Sequence, residues 1–178
     1  MDYRIGDLVV YEGSNSVCRI IEITRLDMPK VDKERMYYVM KPLNQDCLIY
    51  NPTDNTNMRM RPLITKDDAK RLIDMIPGMK VEPYQGSDLR AIAEHCRSIL
   101  KTRDCAKLIE LTMSIYLKKQ FSIKNNRKFS SQEDMFMKQA EEMLFGELSA
   151  ALDIPKEQVK SYISEKVSGQ QDDAGKDT

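Results

Sequence analysis

Ile5-Gly6-Asp7-Leu8-Val9-Val10-Tyr11, the turn cluster Gly13-Ser14-Asn15-Ser16, and Val17-Cys18-Arg19-Ile20-Ile21-Glu22-Ile23 decide how this 178-residue chain reads. Leu8–Tyr11 is short and apolar, and Val17–Ile23 is dense in β-branched side chains, which suit a pleated, half-buried surface. The small polar residues between them favour a tight turn. Working outward, Met36-Tyr37-Tyr38-Val39-Met40 reads as a strand, Asn44-Gln45-Asp46 as a turn, and Cys47-Leu48-Ile49-Tyr50 as the next strand. Residues 25–35 contain Pro29 and read as a loop, and Met58 to Leu63 closes the series as a last short strand. Several short strands joined by tight turns predict a small antiparallel barrel. About 60 residues bury little core, which favours docking onto something larger.

The period changes at Thr65. Thr65 stands three residues before Asp68, and Ala69, Leu72, Ile73 and Ile76 recur at helical spacing until Pro77-Gly78. Leu89, Ile92, Ala93, Cys96, Ile99 and Leu100 form the next amphipathic series. Asp104 caps a third helix whose buried stripe includes Cys105, Leu108, Ile109 and Tyr116. Residues 118–130 read as a basic loop, and Ser130-Ser131-Gln132-Glu133 as a capping box. That box opens a long helix with Phe136, Met137, Ala140, Met143, Leu144, Leu148 and Leu152 on its apolar side. Asp153-Ile154-Pro155 breaks the pattern, and Val159, Tyr162, Ile163 and Val167 sketch a final helix. The expected class is α+β: a barrel over 1–64, a helical bundle over 65–167, and a disordered tail over 168–178 that has no apolar face.

Composition excludes much chemistry. The single histidine, His95, supports no zinc-protease motif and reads as a surface or boundary side chain. No phosphate-binding glycine loop is present, and Cys18, Cys47, Cys96 and Cys105 lack zinc-site spacing. Cys47, Cys96 and Cys105 read as buried small hydrophobes, and the thiols are expected reduced in the cytosol. A carboxylate enzyme built on Glu141 and Glu142 with Glu147 is disfavoured, because adjacent acids on a helix point apart. No metal, cofactor, catalytic residue, small-molecule ligand or membrane partner is therefore expected.

Charge is informative in its placement. The chain holds 28 basic and 28 acidic side chains. Residues 88–128 carry ten basic against four acidic groups, and 129–178 five basic against eleven acidic. A local positive field attracts a polyanion whatever the total charge. Arg90, Arg97 and Lys101 share one helix face, and Lys118, Lys119, Lys124, Arg127 and Lys128 cluster in or beside one loop. Together they read as a phosphate footprint, which positions a protein without reading base sequence. The competing reading is an ordinary solvated helix face.

The opening strands, then Tyr37-Tyr38-Val39-Met40-Lys41-Pro42-Leu43, Leu48-Ile49-Tyr50-Asn51-Pro52 and Met60-Arg61-Pro62-Leu63-Ile64, resemble in order the CarD/CdnL family of bacterial RNA polymerase-binding transcription regulators. The same module resembles the polymerase-interacting domain of transcription-repair coupling factors. Phe129-Ser130-Ser131-Gln132-Glu133 with Ala140 to Leu148 is similar to the family's last long helix. The resemblance covers roughly 5–150 and implies a Tudor-like barrel followed by a helical bundle.

It further implies that the barrel binds the RNA polymerase β-subunit lobe and that the helices contact promoter DNA at the upstream edge of the melted region, holding the open complex. Arg25 falls where the family sets a basic residue against the polymerase. Tyr50 replaces a second such basic residue, and Pro52 follows it on the same strand. The family's tryptophan wedge is missing, and its nearest match is Leu89 beside Arg90. Leu89 also begins an apolar helical series, which reads as core. A polymerase-binding adaptor that never touches DNA is the alternative.

Overall fold

The computed structural model describes residues 3–14, 16–55, 60–83 and 88–174, the side chains of the last stretch through 168. Asn15, Met58 and the last four residues of the expected tail lie outside the described residues. The chain divides into two compact units, 1–64 and 65–178.

The first unit is one antiparallel sheet built from β1 (Leu8–Tyr11), β2 (Ser16–Arg25), β3 (Met36–Pro42), β4 (Ile49–Pro52) and β5 (Met60–Pro62). Its strand order is β4-β3-β2-β1-β5. Gly6 sits at φ 96°, a conformation that costs a residue with a side chain. Its N–H donates to the Ile20 carbonyl at 2.7 Å, which turns the chain into β1.

β2 does not alternate evenly. The register with β3 slips between Ile20 and Glu22, so Ile20 pairs with Met40 and Ile23 with Tyr38. Uniform alternation would send Ile20 and Ile23 to opposite faces. The bulge leaves Ile21 and Glu22 exposed and turns Ile20 and Ile23 to the same side. Ile20 joins Val9, Tyr11, Cys18, Tyr38 and Met40 in the main core, with Ile23, Tyr3, Ile49 and Met60 packed against it. Leu26, Tyr37 and Val39 form a second cluster with Val31.

The expected barrel is an open sheet that curls. Among the described residues no ladder joins β4 to β5. In a flat sheet these outer strands would stand about 19 Å apart, four interstrand steps. Yet the buried Asn51 of β4 donates from Nδ2 to the Met60 Sδ of β5 at 3.1 Å. A further correction concerns β4, which begins at Ile49. Cys47 and Leu48 precede it and are exposed, so Cys47 is no core thiol.

The second unit holds α1 (Lys66–Met75), α2 (Leu89–Thr102), α3 (Cys105–Lys124), α4 (Ser131–Leu152) and α5 (Lys156–Ala174). Side-chain caps start four of them. Thr65 accepts from the Asp68 N–H, Asp88 from Arg90, Asp104 from Ala106 and Lys107, and Ser130 from Glu133. Arg103 and Asp153 close α2 and α4 in left-handed backbone. The 22-residue α4 is central: it packs against α1, α2, α3 and α5, and Ala140 and Leu148 on it are fully buried.

Three expectations change here. The basic stretch 118–124 is helix, the end of α3, and only 125–130 form the connection. Tyr116 is 52% exposed instead of buried. α5 continues through Ala174, so residues 168–174 are helical where a disordered tail was expected. Among the described residues no helix is long and apolar enough to cross a membrane.

Candidate interaction surfaces

β4 is an outer strand, and its pairing decides what it offers. The Thr53 N–H donates to the Met36 carbonyl at 2.9 Å. In an antiparallel ladder bonded and non-bonded pairs alternate. Tyr38–Asn51 and Met40–Ile49 are in phase with Met36–Thr53, whereas Val39–Tyr50 and Tyr37–Pro52 are not. The Tyr50 N–H and the Tyr50 carbonyl therefore point to the open edge, while the Pro52 carbonyl accepts from the Asn55 N–H at 3.1 Å. Such groups are a template for one more strand, and Pro52, which has no N–H, limits its length.

The register also separates the three residues expected on the polymerase side. Tyr50 opposes Val39 and Pro52 opposes Tyr37, on the face of the second apolar cluster. Arg25, exposed at the end of β2, opposes Met36 and alternates to the other face. Tyr50 is 38% exposed. Sequence reasoning missed Leu43 and Leu48, exposed apolar side chains bounding the β3–β4 turn. They read as strand ends, and only the position of the turn reveals them. In that turn Lys41 bonds Asp46 at 2.8 Å and holds its carboxyl below the usual aspartate range.

In the helical unit the expected basic set falls into three groups. Leu89, Arg90 and Arg97 line a cleft with Ala93, Glu94 and Gln132, where the start of α2 meets the start of α4. Leu89 is 58% exposed, so it is not the core residue its apolar series suggests. The Arg97 guanidinium lies 5.8 Å from the Phe136 ring centroid. Lys101 is exposed in the last turn of α2.

Lys118 and Lys119 are turned inward. The Lys118 Nζ donates to the Glu133 Oε1 at 2.7 Å, and the Lys119 Nζ to the Asp134 Oδ1 at 2.6 Å. Glu133 is buried, and Lys118 supplies its counter-charge. Asp134 also meets Lys138 at 3.0 Å, and the Lys119 hydrogen bond holds its carboxyl below the usual range. Cys96 is buried beside this network; desolvation pushes its thiol up, and the Glu133 charge adds to the shift. Lys124, Arg127 and Lys128 form the third group. They are exposed, with no acidic partner among the described residues.

The comparisons fall on the first unit. The family model for the CarD-like/TRCF RID domain matches residues 3–64, and no curated protein matches the chain. The matched stretch ends where the sheet unit ends, and the helices lie outside it. The sheet unit, with its bulged β2 and open β4 edge, is the part of this chain that is similar to the CarD-like/TRCF RID domain.

Proposed function

We propose that this chain is a non-enzymatic transcription regulator that works in the cytoplasm, carried on the nucleoid by RNA polymerase. Its sheet unit docks on the polymerase β-subunit lobe by lending the β4 edge to a strand of the lobe. Its helical unit contacts promoter DNA at the upstream edge of the melted region. Linking two weak sites raises the effective concentration of the second. Contacts made only to melted DNA then shift the closed–open equilibrium toward open.

The observation that carries this reading is the open β4 edge within the residues that match the RID domain. The test is binding of the purified chain to core polymerase and to an isolated β-lobe fragment. Tyr50→Pro removes an edge N–H without touching the β3 ladder, and is expected to weaken both interactions more than tenfold. Arg25→Glu is expected to weaken them by reversing a contact charge. Undiminished binding by both variants, or none by the parent chain, would sink the docking reading.

One observation favours the adaptor alternative. Lys118 and Lys119 face Glu133 and Asp134, so two cations of the expected DNA footprint already have partners. Open-complex lifetime with and without Lys124→Ala/Arg127→Ala/Lys128→Ala separates the two. A lifetime that depends on these cations supports DNA contact, and an unchanged one supports the adaptor.

A further inference from the structure

The last turn of α3 leaves apolar side chains in water. Phe121 is 57% exposed and Ile123 60%. Two residues apart on a helix, they face nearly opposite directions. Exposure on both sides means that this turn projects past its neighbours. Leu117, four residues before Phe121 and itself 38% exposed, extends one stripe, and Lys124, three residues after, continues it.

The tip is built, not frayed. The Asn125 N–H and the Asn125 Nδ2 both donate to the Phe121 carbonyl, at 3.1 and 2.7 Å. The Asn126 N–H donates to Ile123 at 3.1 Å, with Asn126 at φ 50°, and the Arg127 N–H donates to Ser122 at 2.8 Å. These bonds satisfy the carbonyls that a helix end leaves open. The last of them brings the Arg127 backbone back beside Ser122 in the projecting turn.

A helix C-terminus favours one nearby cation through its dipole. Here three exposed cations, Lys124, Arg127 and Lys128, follow the exposed Phe121 at the same helix end, with no acidic partner among the described residues. The neighbouring Lys118 and Lys119 show that acids are placed where the fold needs them. Unopposed cations at one helix end with an exposed aromatic suit a polyanion that also offers flat apolar faces. Unpaired nucleic acid is that partner: phosphates meet the cations and a base stacks on the ring.

We propose that the α3–α4 tip, Phe121 with Lys124, Arg127 and Lys128, is a stacking site for unpaired DNA. The proposal rests on the DNA-contact reading above and names the strand state that the helical unit would recognise. A duplex offers this tip phosphates but no free base faces. A melted region offers both.

The test uses the full chain and a short fluorescein-labelled DNA presented as a single strand, as a perfect duplex, and as a duplex with a central unpaired stretch, all at low salt. Phe121→Ala is expected to weaken binding to both unpaired forms about tenfold, and duplex binding by no more than about twofold. The chain has no tryptophan, so Phe121→Trp places a single indole at the tip. That variant is expected to keep the affinity of the parent chain and to lose emission on binding unpaired DNA. Thermal melts of both variants should match the parent, since the side chain is mostly in solvent.

Equal loss on duplex and unpaired DNA, unquenched indole emission, or no DNA binding by the parent chain would each overturn the proposal. So would Phe121-dependent binding to phosphatidylglycerol vesicles with Phe121-independent DNA binding, which would assign the tip to a lipid surface. Failure of β-lobe binding sinks the docking reading and leaves this tip's DNA affinity standing. Phe121-independent DNA binding does the reverse.

Discussion

The sheet unit and the helical unit bury polar groups in different ways. In the sheet, the buried polar side chain is the neutral Asn51, which receives a hydrogen bond from Asn55 at 3.0 Å and donates to Met60. In the helices, the buried polar side chains among the described residues are two carboxylates of α4. Glu133 holds Lys118, and Glu147 accepts from the Cys105 thiol at 3.2 Å. A buried amide needs hydrogen bonds, whereas a buried carboxylate needs a counter-charge as well. The helical unit therefore commits cations to its own core. A count of lysines and arginines along 88–128 overstates what remains for a partner, and the sheet unit, whose proposed docking uses backbone, carries no such ambiguity.

The largest effect that would break this contrast comes from Lys118. Removing one member of a buried pair strands the other in a medium that solvates it poorly. Lys118 keeps a quarter of its side chain in water, which softens the penalty. Lys118→Ala is expected to cost roughly 2–3 kcal/mol in urea unfolding, at the low end for breaking such a pair. Lys124→Ala, six residues on in the same helix and exposed, is expected to stay within about 0.5 kcal/mol. Equal costs for the two would erase the distinction between committed and free cations. Lys118→Ala should also leave DNA affinity closer to the parent than Lys124→Ala does.

A smaller effect tests the helix starts that hold the basic segment. The Asp104 carboxylate accepts from the Ala106 N–H at 2.9 Å and from the Lys107 N–H at 3.2 Å. Asp104→Ala leaves both donors at the start of α3 without that acceptor and is expected to cost about 1 kcal/mol. Asp104→Asn keeps an acceptor oxygen and should recover most of it. Similar losses for the two variants would mean that the charge, not the cap, matters there.

Much of this architecture was legible in the residues. The change of period at Thr65, the caps at Asp104 and Ser130, and the β-branched density of β2 are local signals, and each marks an element that the structure contains. What could not be read is tertiary. The bulge beside Ile21 is invisible to a count of alternation, because Ile20, Ile21 and Ile23 look equally fit for either face. Lys118 and Lys119, followed by a polar run, look like a loop, and their partners lie fifteen residues away across a helix pair. Tyr116 and Leu89 sit in apolar helical series that suit a core, and Phe121 falls in the stretch that reads as a basic loop, yet all three are exposed. Their exposure depends on where neighbouring helices end, which no single segment encodes. The open β4 edge likewise follows from strand order, which local patterns leave undetermined.

The smallest expected effect concerns pH and sharpens the same comparison from the acid side. Asp134 takes hydrogen bonds from Lys119 and Lys138, which hold its carboxyl below the ordinary aspartate value. In the unfolded chain the group titrates near that ordinary value, about 3.9. The folded state therefore binds fewer protons there, and the linkage makes Asp134 stabilising above about pH 4. The contribution fades as pH falls through the lower folded value, where protonation releases both lysines. Asp134→Asn should lower stability slightly above about pH 4 and leave it unchanged below the folded value, which flattens the acid limb; the loss is small because the pair is partly exposed and screened. Added salt should shrink the difference between the two profiles. An acid limb unchanged by the substitution would leave Lys119 bound to nothing that matters for stability, and would return it to the set of cations free to meet DNA.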